Sequence, residues 1–376
     1  MRIFISAGDP SGDRHSADVV HALKRANPDV QIDGFGGRHM RQAGVNLIHP
    51  LAEEAIIGIT AAIPRLRFYR RLMHDTVAGM KKNRTDVLVL VDYPGFNLRF
   101  AQAAKAAGIK TVYYIGPQIW AWGAGRITKI KRAIDLMLVV FDFEMALYER
   151  AGVPVRFVGH PLLEQMDFNA DSGAFRRTQG FDADTPLLGL FPGSRKSELD
   201  RVFPVMLQAG AQIRKALGPI QLAVAAAPGL KREQFERWMD HTDTPATILE
   251  GLTHPLMQAA DLALVTSGTA TLETALLGTP QIILYRTDPL TYWIARYLVT
   301  VPHIGLVNVV AQKELAPELI QHRCNPKALA DAALRVLKAP GSKAAFAQEA
   351  HDLRGKLGKP GAADRAALAI LELAQL

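Results

Sequence analysis

The chain reads as α/β, with two Rossmann-like halves and a cleft between them. Three observations predict this. Continuous apolar runs recur in both halves, among them residues 87–91 (VLVLV), 136–140 (LMLVV), 187–191 (LLGLF) and 262–265 (LALV). Such runs are expected of strands buried on both faces of a parallel sheet. Loops bearing glycine or proline, then helical stretches, alternate with these runs in the manner of a doubly wound sheet. Finally, 376 residues exceed what one ordinary core organises and suit two domains.

The elements follow in order. Residues 3–6 (IFIS) form a first strand, 7–13 (AGDPSGD) a loop, and about 16–25 a helix. Residues 87–91 form a buried strand that ends in Asp92, and Pro94 and Gly95 after it predict a turn. A helix over 100–107 leads to strands at 111–115 (TVYYI) and 136–140. The character changes near Gly159, His160 and Pro161, and the polar stretch 162–184 reads as a hinge. The cycle then restarts with a strand at 187–191, a loop at 192–198 (PGSRKSE) and a long helix over 202–217. Strands follow at 221–225, 262–265 and 282–285, and the tail 362–376 is helical by propensity and spacing. The expected division is 1–165, 166–345 and a C-terminal helical segment 346–376.

Composition narrows the class. The chain is 49% hydrophobic and 21% charged, as in folded globular proteins. Lysine and arginine number 44 against 36 acidic residues, a net charge of +8. That excess suits nucleic acid, an anionic membrane or a phosphorylated substrate, and equally a basic protein with no polyanionic partner. The single cysteine, Cys324, permits no intramolecular disulfide, and no Cys/His cluster suggests structural zinc. A reducing compartment is expected. The N-terminus is too short for a secretory signal, and no apolar run approaches the roughly 20 residues of a membrane span. Membrane contact is therefore expected to be peripheral.

Ligands of open parallel sheets bind beyond the carboxyl ends of the strands, so the loops there are the candidate sites. In 7–13, Gly8 and Gly12 allow close backbone approach, and Ser11 and Asp13 add polar groups for a sugar; a plain turn with a helix cap explains the loop equally well. Asp92, a carboxylate closing a buried strand, is either a general base or a cap for nearby amides. In 192–198, Ser194 offers an amide and Arg195 a planar fork for a diphosphate, against the reading of a surface arginine beside a capping serine. In 266–273 (TSGTATLE), Ser267, Gly268 and Thr269 open a helix whose free amides suit an anion. Glu273, two turns in, is placed to accept from ribose hydroxyls or is ordinary helix charge. Asp182 and Asp184 match a metal-binding D-x-D spacing but precede a strand, at the wrong end of the sheet. His160 either faces the cleft or is structural, and no G-x-S-x-G supports a hydrolase triad.

Residues 56–73 (IIGITAAIPRLRFYRRLM) combine Ile59, Ile63, Leu66 and Phe68 with a basic set including Arg67, Arg70 and Arg71. Apolar anchors beside a basic cluster suit an anionic lipid surface. The competing reading is a helix that buries its apolar stripe and leaves the arginines in water. No nucleic-acid module is readable, so nucleic acid is not expected.

Together these loops resemble one family, the lipid-A-disaccharide synthases. The marks are AGDPSGD (7–13), VDYPGFN (91–97), GPQIWAWGAGR (116–126), FVGHP (157–161), FPGSRKSE (191–198), TSGTATLE (266–273) and NVVAQKELAPELIQ (308–321). The resemblance spans nearly the whole chain. It implies the B-type glycosyltransferase fold, with the last helix crossing back to the N-terminal domain. It implies an inverting, metal-independent transfer, without cofactor, from UDP-2,3-diacylglucosamine to 2,3-diacylglucosamine 1-phosphate in lipid A biosynthesis. Asp92 would be the base; Ser194, Arg195, Ser267, Gly268, Thr269 and Glu273 would hold UDP; and Asn308 and Gln312 would lie in a loop closing on the donor. The 56–73 segment would meet acyl chains and an anionic membrane, placing the chain on the cytoplasmic side of an inner membrane. A homodimer exchanging its last helices is a further expectation. Three departures stand out: Asp9-Pro10 where the family has a glutamate and its neighbour, GPQIWAW for SPSVWAW, and VNVV for PNLL. Other readings are a UDP-N-acetylglucosamine 2-epimerase or peptidoglycan-type N-acetylglucosaminyltransferase of the same fold, and a non-catalytic basic protein binding membrane or nucleic acid.

Overall fold

The computed structural model describes residues 1–54, 66–121, 123–298 and 301–375. They divide into two compact units: residues 1–164 with 357–376, and residues 165–356. Each is built on an all-parallel sheet.

The strands of the first unit are β1 (Arg2–Ala7), β2 (Gln31–Phe35), β3 (Asn46–His49), β4 (Val87–Val91), β5 (Lys110–Tyr114), β6 (Leu136–Val139) and β7 (Val155–Phe157). Their order is β3-β2-β1-β4-β5-β6-β7, so the winding reverses between β1 and β4. All five residues of β4 are buried, as their uninterrupted apolarity predicts. Ala7 lies beside Val91 at the carboxyl edge. On one face Phe4, Phe35, Phe100 and Tyr113 pack into the core with Met80 and Leu98.

The second unit holds β8 (Leu187–Phe191), β9 (Gln221–Ala226), β10 (Thr247–Glu250), β11 (Leu262–Thr266), β12 (Gln281–Tyr285) and β13 (Glu318–Ile320). Their order, β10-β9-β8-β11-β12-β13, reverses between β8 and β11. Helix Lys196–Leu217 packs its apolar stripe, including Leu199, Val202, Phe203 and Met206, on this sheet with Leu329 and Ala333.

Several helices begin earlier than the sequence patterns suggest. Helix Pro10–Ala26 takes in most of the expected 7–13 loop, because Asp9 caps it and Pro10 supplies the preset φ of a first helical residue. Likewise Pro94 opens helix Pro94–Ala106 rather than a turn. The expected hinge contains short helices Leu162–Gln165 and Ser172–Thr178. Helix Ser342–Lys356 stays with the second unit, so residues 346–356 do not return to the N-terminal half. Helix Ala362–Gln375 lies against helix Pro10–Ala26. Arg25 pairs with Asp364 at 2.6 Å, Lys110 Nζ donates to the Leu373 carbonyl at 3.1 Å, and Arg156 pairs with Glu372. Gly159, at φ +82°, leaves room where Arg365 Nε donates to the Val158 carbonyl.

Candidate active site

In the first unit, the switch point between β1 and β4 gathers Gly8, Asp9, Asp92, Tyr93 and Asn97. The chain leaves β4 through Asp92 and Tyr93, both left-handed, with φ of 45° and 49°. Two consecutive non-glycine residues in that region carry strain of order 1–3 kcal/mol each and persist only where neighbours dictate them. Here the neighbours do. Buried Asn97 donates from its amide to the carbonyls of Ser6 (3.2 Å), Val91 (3.1 Å) and Asp92 (2.8 Å), and accepts from the Ser6 hydroxyl at 2.8 Å. The Tyr113 hydroxyl donates to the Asp92 carbonyl at 2.7 Å. The Asp92 carboxylate is thereby held at the sheet edge, accepting from the Tyr93 amide at 2.8 Å. Burial first, and the Asp9 charge second, push its carboxyl up to about 6, against the pull of that amide. A carboxylate so placed is basic enough to take a proton from a hydroxyl and still ionised near neutral pH.

The other expected residues of this loop have different tasks. Asp9 accepts from the Gly12 amide (3.1 Å) and the Ser11 hydroxyl (2.7 Å). Gly8 lies beneath Tyr93: a Cβ there would come within 2.1 Å of the ring. Asp13 was expected to face a sugar, but it is buried and saturated by the amides of Gly37 (2.6 Å), His39 (2.9 Å) and Met40 (3.2 Å) and by His39 Nδ1 (3.0 Å). It caps helix Arg38–Gln42 and has no lone pair left for a ligand. His160 is buried, accepts from the Leu162 amide at 3.2 Å, and is driven down to about 3 by burial, so it is a neutral structural group. Buried Glu144 accepts from Trp120 of the 116–126 motif at 3.1 Å, and burial pushes it up to about 7.

In the second unit, a cavity of about 340 Å³ opens at the β8/β11 switch point, lined by Gly193, Ser194, Arg195, Ser267, Gly268 and Thr269 among others. Gly193, at φ +102°, turns the chain so that Glu198 closes the loop from within helix Lys196–Leu217. Glu198 accepts from the amides of Ser194 (3.1 Å) and Arg195 (3.3 Å) and from Arg195 Nη1 (2.8 Å). The Arg195 side chain is otherwise 78% exposed. Across the pocket, no side chain among the described residues caps helix Thr269–Leu276, so the amides of Thr269 and Ala270 remain available to an anion. Thr266 Oγ1, on the lining, is buried with no partner among the described residues.

Glu273 lies one turn into this helix, not two, because the helix starts at Thr269. It does not line the cavity; its carboxylate meets His254 Nε2 at 2.9 Å. Asn308 also differs from expectation. It is buried in helix Leu306–Ala311, donating to the Ala316 carbonyl and Glu318 (both 2.8 Å) and accepting from the amides of Leu315 (2.8 Å) and Ala316 (2.9 Å). Glu318 in turn holds the amides of Ile304 and Gly305, and the Ile304 carbonyl accepts from the Ser267 hydroxyl at 3.0 Å. Asn308 therefore reaches the pocket through Ser267, not by direct contact. Gln312 is exposed at the helix end, at φ 59°. Asp182 caps its own turn through the amides of Asp184 and Thr185.

Of the basic apolar segment, Ile59 and Ile63 lie outside the described residues, and Leu66 begins helix Leu66–Lys82. Tyr69, Leu72, Met73 and Val77 pack on the core, whereas Arg67, Phe68, Arg70 and Arg71 are exposed. The helix thus has a half-buried stripe packed on the core and a basic outer face at once. No helix among the described residues is long and apolar enough to cross a membrane.

Sequence reasoning missed Asn97, Tyr113, Glu198 and His254. Asn97 and Glu198 stood inside the motifs, and the spacing of Glu198 after Arg195 is that of a capping box. Tyr113 and His254 come in only through tertiary packing.

Comparison with known proteins places these features in context. The family model for lipid-A-disaccharide synthetase matches residues 3–373. A lipid-A-disaccharide synthase of Syntrophus aciditrophicus is 42% identical over 372 residues, covering 99% of this chain and 97% of the relative. Among solved structures, MnaA of S. aureus with UDP superposes at a TM-score of 0.67 with 12% identity, covering 99% of this chain and 97% of that one. Anabaena HepE in complex with UDP-glucose superposes at 0.61 with 14% identity, covering 99% of both chains. The two parallel sheets with their helices are the B-type glycosyltransferase fold.

Proposed function

The chain belongs to the lipid-A-disaccharide synthase family of glycosyltransferases, and we propose that it joins UDP-2,3-diacylglucosamine to 2,3-diacylglucosamine 1-phosphate. The products are the β-1,6-linked disaccharide 1-phosphate and UDP. The observation that carries this reading is Asp92, whose carboxyl is raised to about 6 in a turn that Asn97 and Tyr113 hold in place. Asp92 takes the proton of the acceptor 6-hydroxyl. That oxygen bonds to the anomeric carbon of the donor as the bond from this carbon to the UDP oxygen breaks, with inversion. The charge gathered on the departing diphosphate is met by Arg195 and by the first amides of helix Thr269–Leu276. In this reading the first unit binds the acceptor and the second the donor.

The comparisons do not favour an epimerase or a non-catalytic protein. The exposed face with Arg67, Phe68 and Arg71 supports peripheral association with the cytoplasmic face of an inner membrane. Incubation with both lipids, followed by detection of UDP and a disaccharide, tests the reaction. Absence of UDP release in every lipid and detergent condition would sink it.

A further inference from the structure

A second cavity, of about 280 Å³, lies in the first unit beside the catalytic turn. Tyr69 and Met73 from helix Leu66–Lys82 and Tyr93, Gly95 and Phe96 at the start of helix Pro94–Ala106 give it an apolar wall. Arg70 and Arg99, one from each helix, complete the lining. Both arginines are exposed, and among the described residues neither has a carboxylate partner. Their neighbour Arg71 does, pairing with Asp75 at 3.5 Å. Two unneutralised guanidiniums brought to one apolar cavity repel each other unless an anion joins them, and a phosphate monoester presents the oxygens that such forks bind in pairs. Tyr93 is both a wall of this cavity and the residue that follows Asp92. A molecule seated here therefore touches the turn that carries Asp92.

We propose that Arg70 and Arg99 bind the phosphate of the acceptor and make the enzyme selective for a phosphorylated acceptor. This rests on the reading of Asp92 as the acceptor's base. An acceptor that offers its 6-hydroxyl to Asp92 carries its 1-phosphate on the same sugar ring, on the far side of the ring oxygen from C5, and the aromatic wall takes its apolar part. Arg70 then belongs to the acceptor site rather than to the membrane face, and Arg99, outside the basic segment, joins it.

The test compares the phosphorylated acceptor with the same lipid lacking its phosphate, in neutral detergent micelles. The ratio of the two kcat/KM values measures selectivity. Arg70→Ala and Arg99→Ala should each reduce that ratio by roughly 10- to 100-fold, the loss of one charge-assisted contact. An unchanged ratio would overturn the proposal. So would an effect that appears only when the acceptor is presented in anionic vesicles, which would assign the arginines to the lipid surface. Direct binding of each acceptor without donor keeps the two claims apart. Binding that depends on the phosphate and on both arginines, in a protein that forms no disaccharide, would refute the transferase reading and leave this site standing. Binding indifferent to the arginines would remove the site whatever the turnover.

Discussion

Replacing Asp92 with asparagine separates what the carboxylate does in catalysis from what it costs the fold. Its carboxyl rises from 3.8 to about 6 on folding. An acid with a raised pKa holds its proton more tightly when folded. Its contribution to stability is complete below 3.8 and is lost as pH climbs to about 6. Above that point the ionised side chain weighs against the fold by roughly 3 kcal/mol. Asparagine has the same shape and no charge to bury. At neutral pH the Asp92→Asn protein should therefore be the more stable by up to about 3 kcal/mol, and the difference should shrink as pH falls from about 6 toward 4. Hydrogen exchange of the β4 amides reads this in the unit concerned.

The same variant should lose turnover and keep UDP, since the cavity proposed for the nucleotide belongs to the other unit. In the wild type, kcat/KM should fall roughly tenfold per pH unit below about 6, where the base becomes protonated. A stability difference that ignores pH would refute the argument that burial raises this group. An acid limb placed near the ordinary carboxylate range would do the same.

Three further substitutions probe the supports. Asn97→Ala strips a partner from the Ser6, Val91 and Asp92 carbonyls and from the Ser6 hydroxyl; denaturant unfolding should show a loss of about 3 kcal/mol or more, with kcat falling as the Asp92 turn relaxes. Arg195→Ala, at an exposed side chain, should shift stability by no more than about 0.5 kcal/mol, yet calorimetry should show UDP binding weakened roughly 10- to 100-fold; an unchanged Kd removes it from the site. Asn308→Ala should cost about 2–4 kcal/mol by thermal unfolding, because Glu318 and three backbone groups lose a buried partner, and UDP affinity should drop through Ser267; wild-type stability in this variant would refute the network.

The central strands were legible because continuous apolarity has one reading at a sheet centre. Strand β4 was found to the residue, and Asp92 announced itself as the first polar group after it. Strands β3, β7, β10 and β13 escaped because they are short, and β2, β3, β7 and β10 keep exposed or half-buried positions that dilute the pattern. The helix starts at Pro10 and Pro94 were misread for one reason: proline marks a turn and a first helical residue alike, and only the capping geometry decides. The candidate site was legible where a loop carries the chemistry in its own backbone, as at residues 266–269. It was opaque where a side chain is consumed by the fold. Asp13 and Asn308 look like ligand-binding residues in sequence, and nothing local shows that distant amides already occupy them.

The two units share a winding, so what distinguishes their ligands must lie in the few residues after the strands at each switch point. After β1 and β4 the chain places Asp9 and Asp92, close enough that the Asp9 charge makes Asp92 harder to ionise, and it closes the turn with the neutral amide of Asn97. Such an edge repels a diphosphate and favours a group that can give up a proton. After β8 and β11 it places Gly193-Ser194-Arg195 and Ser267-Gly268, leaving helix amides and a guanidinium toward the cavity. That edge gathers positive potential and favours an anion. Glu198 fits the same logic: its carboxylate occupies amides of the anion loop, as an anionic ligand would, and fixes their direction. On the proposed reading, one architecture thus yields a proton acceptor in one copy and an anion site in the other, through residues confined to the strand ends. Transfer of a sugar from a diphosphate to a hydroxyl requires both.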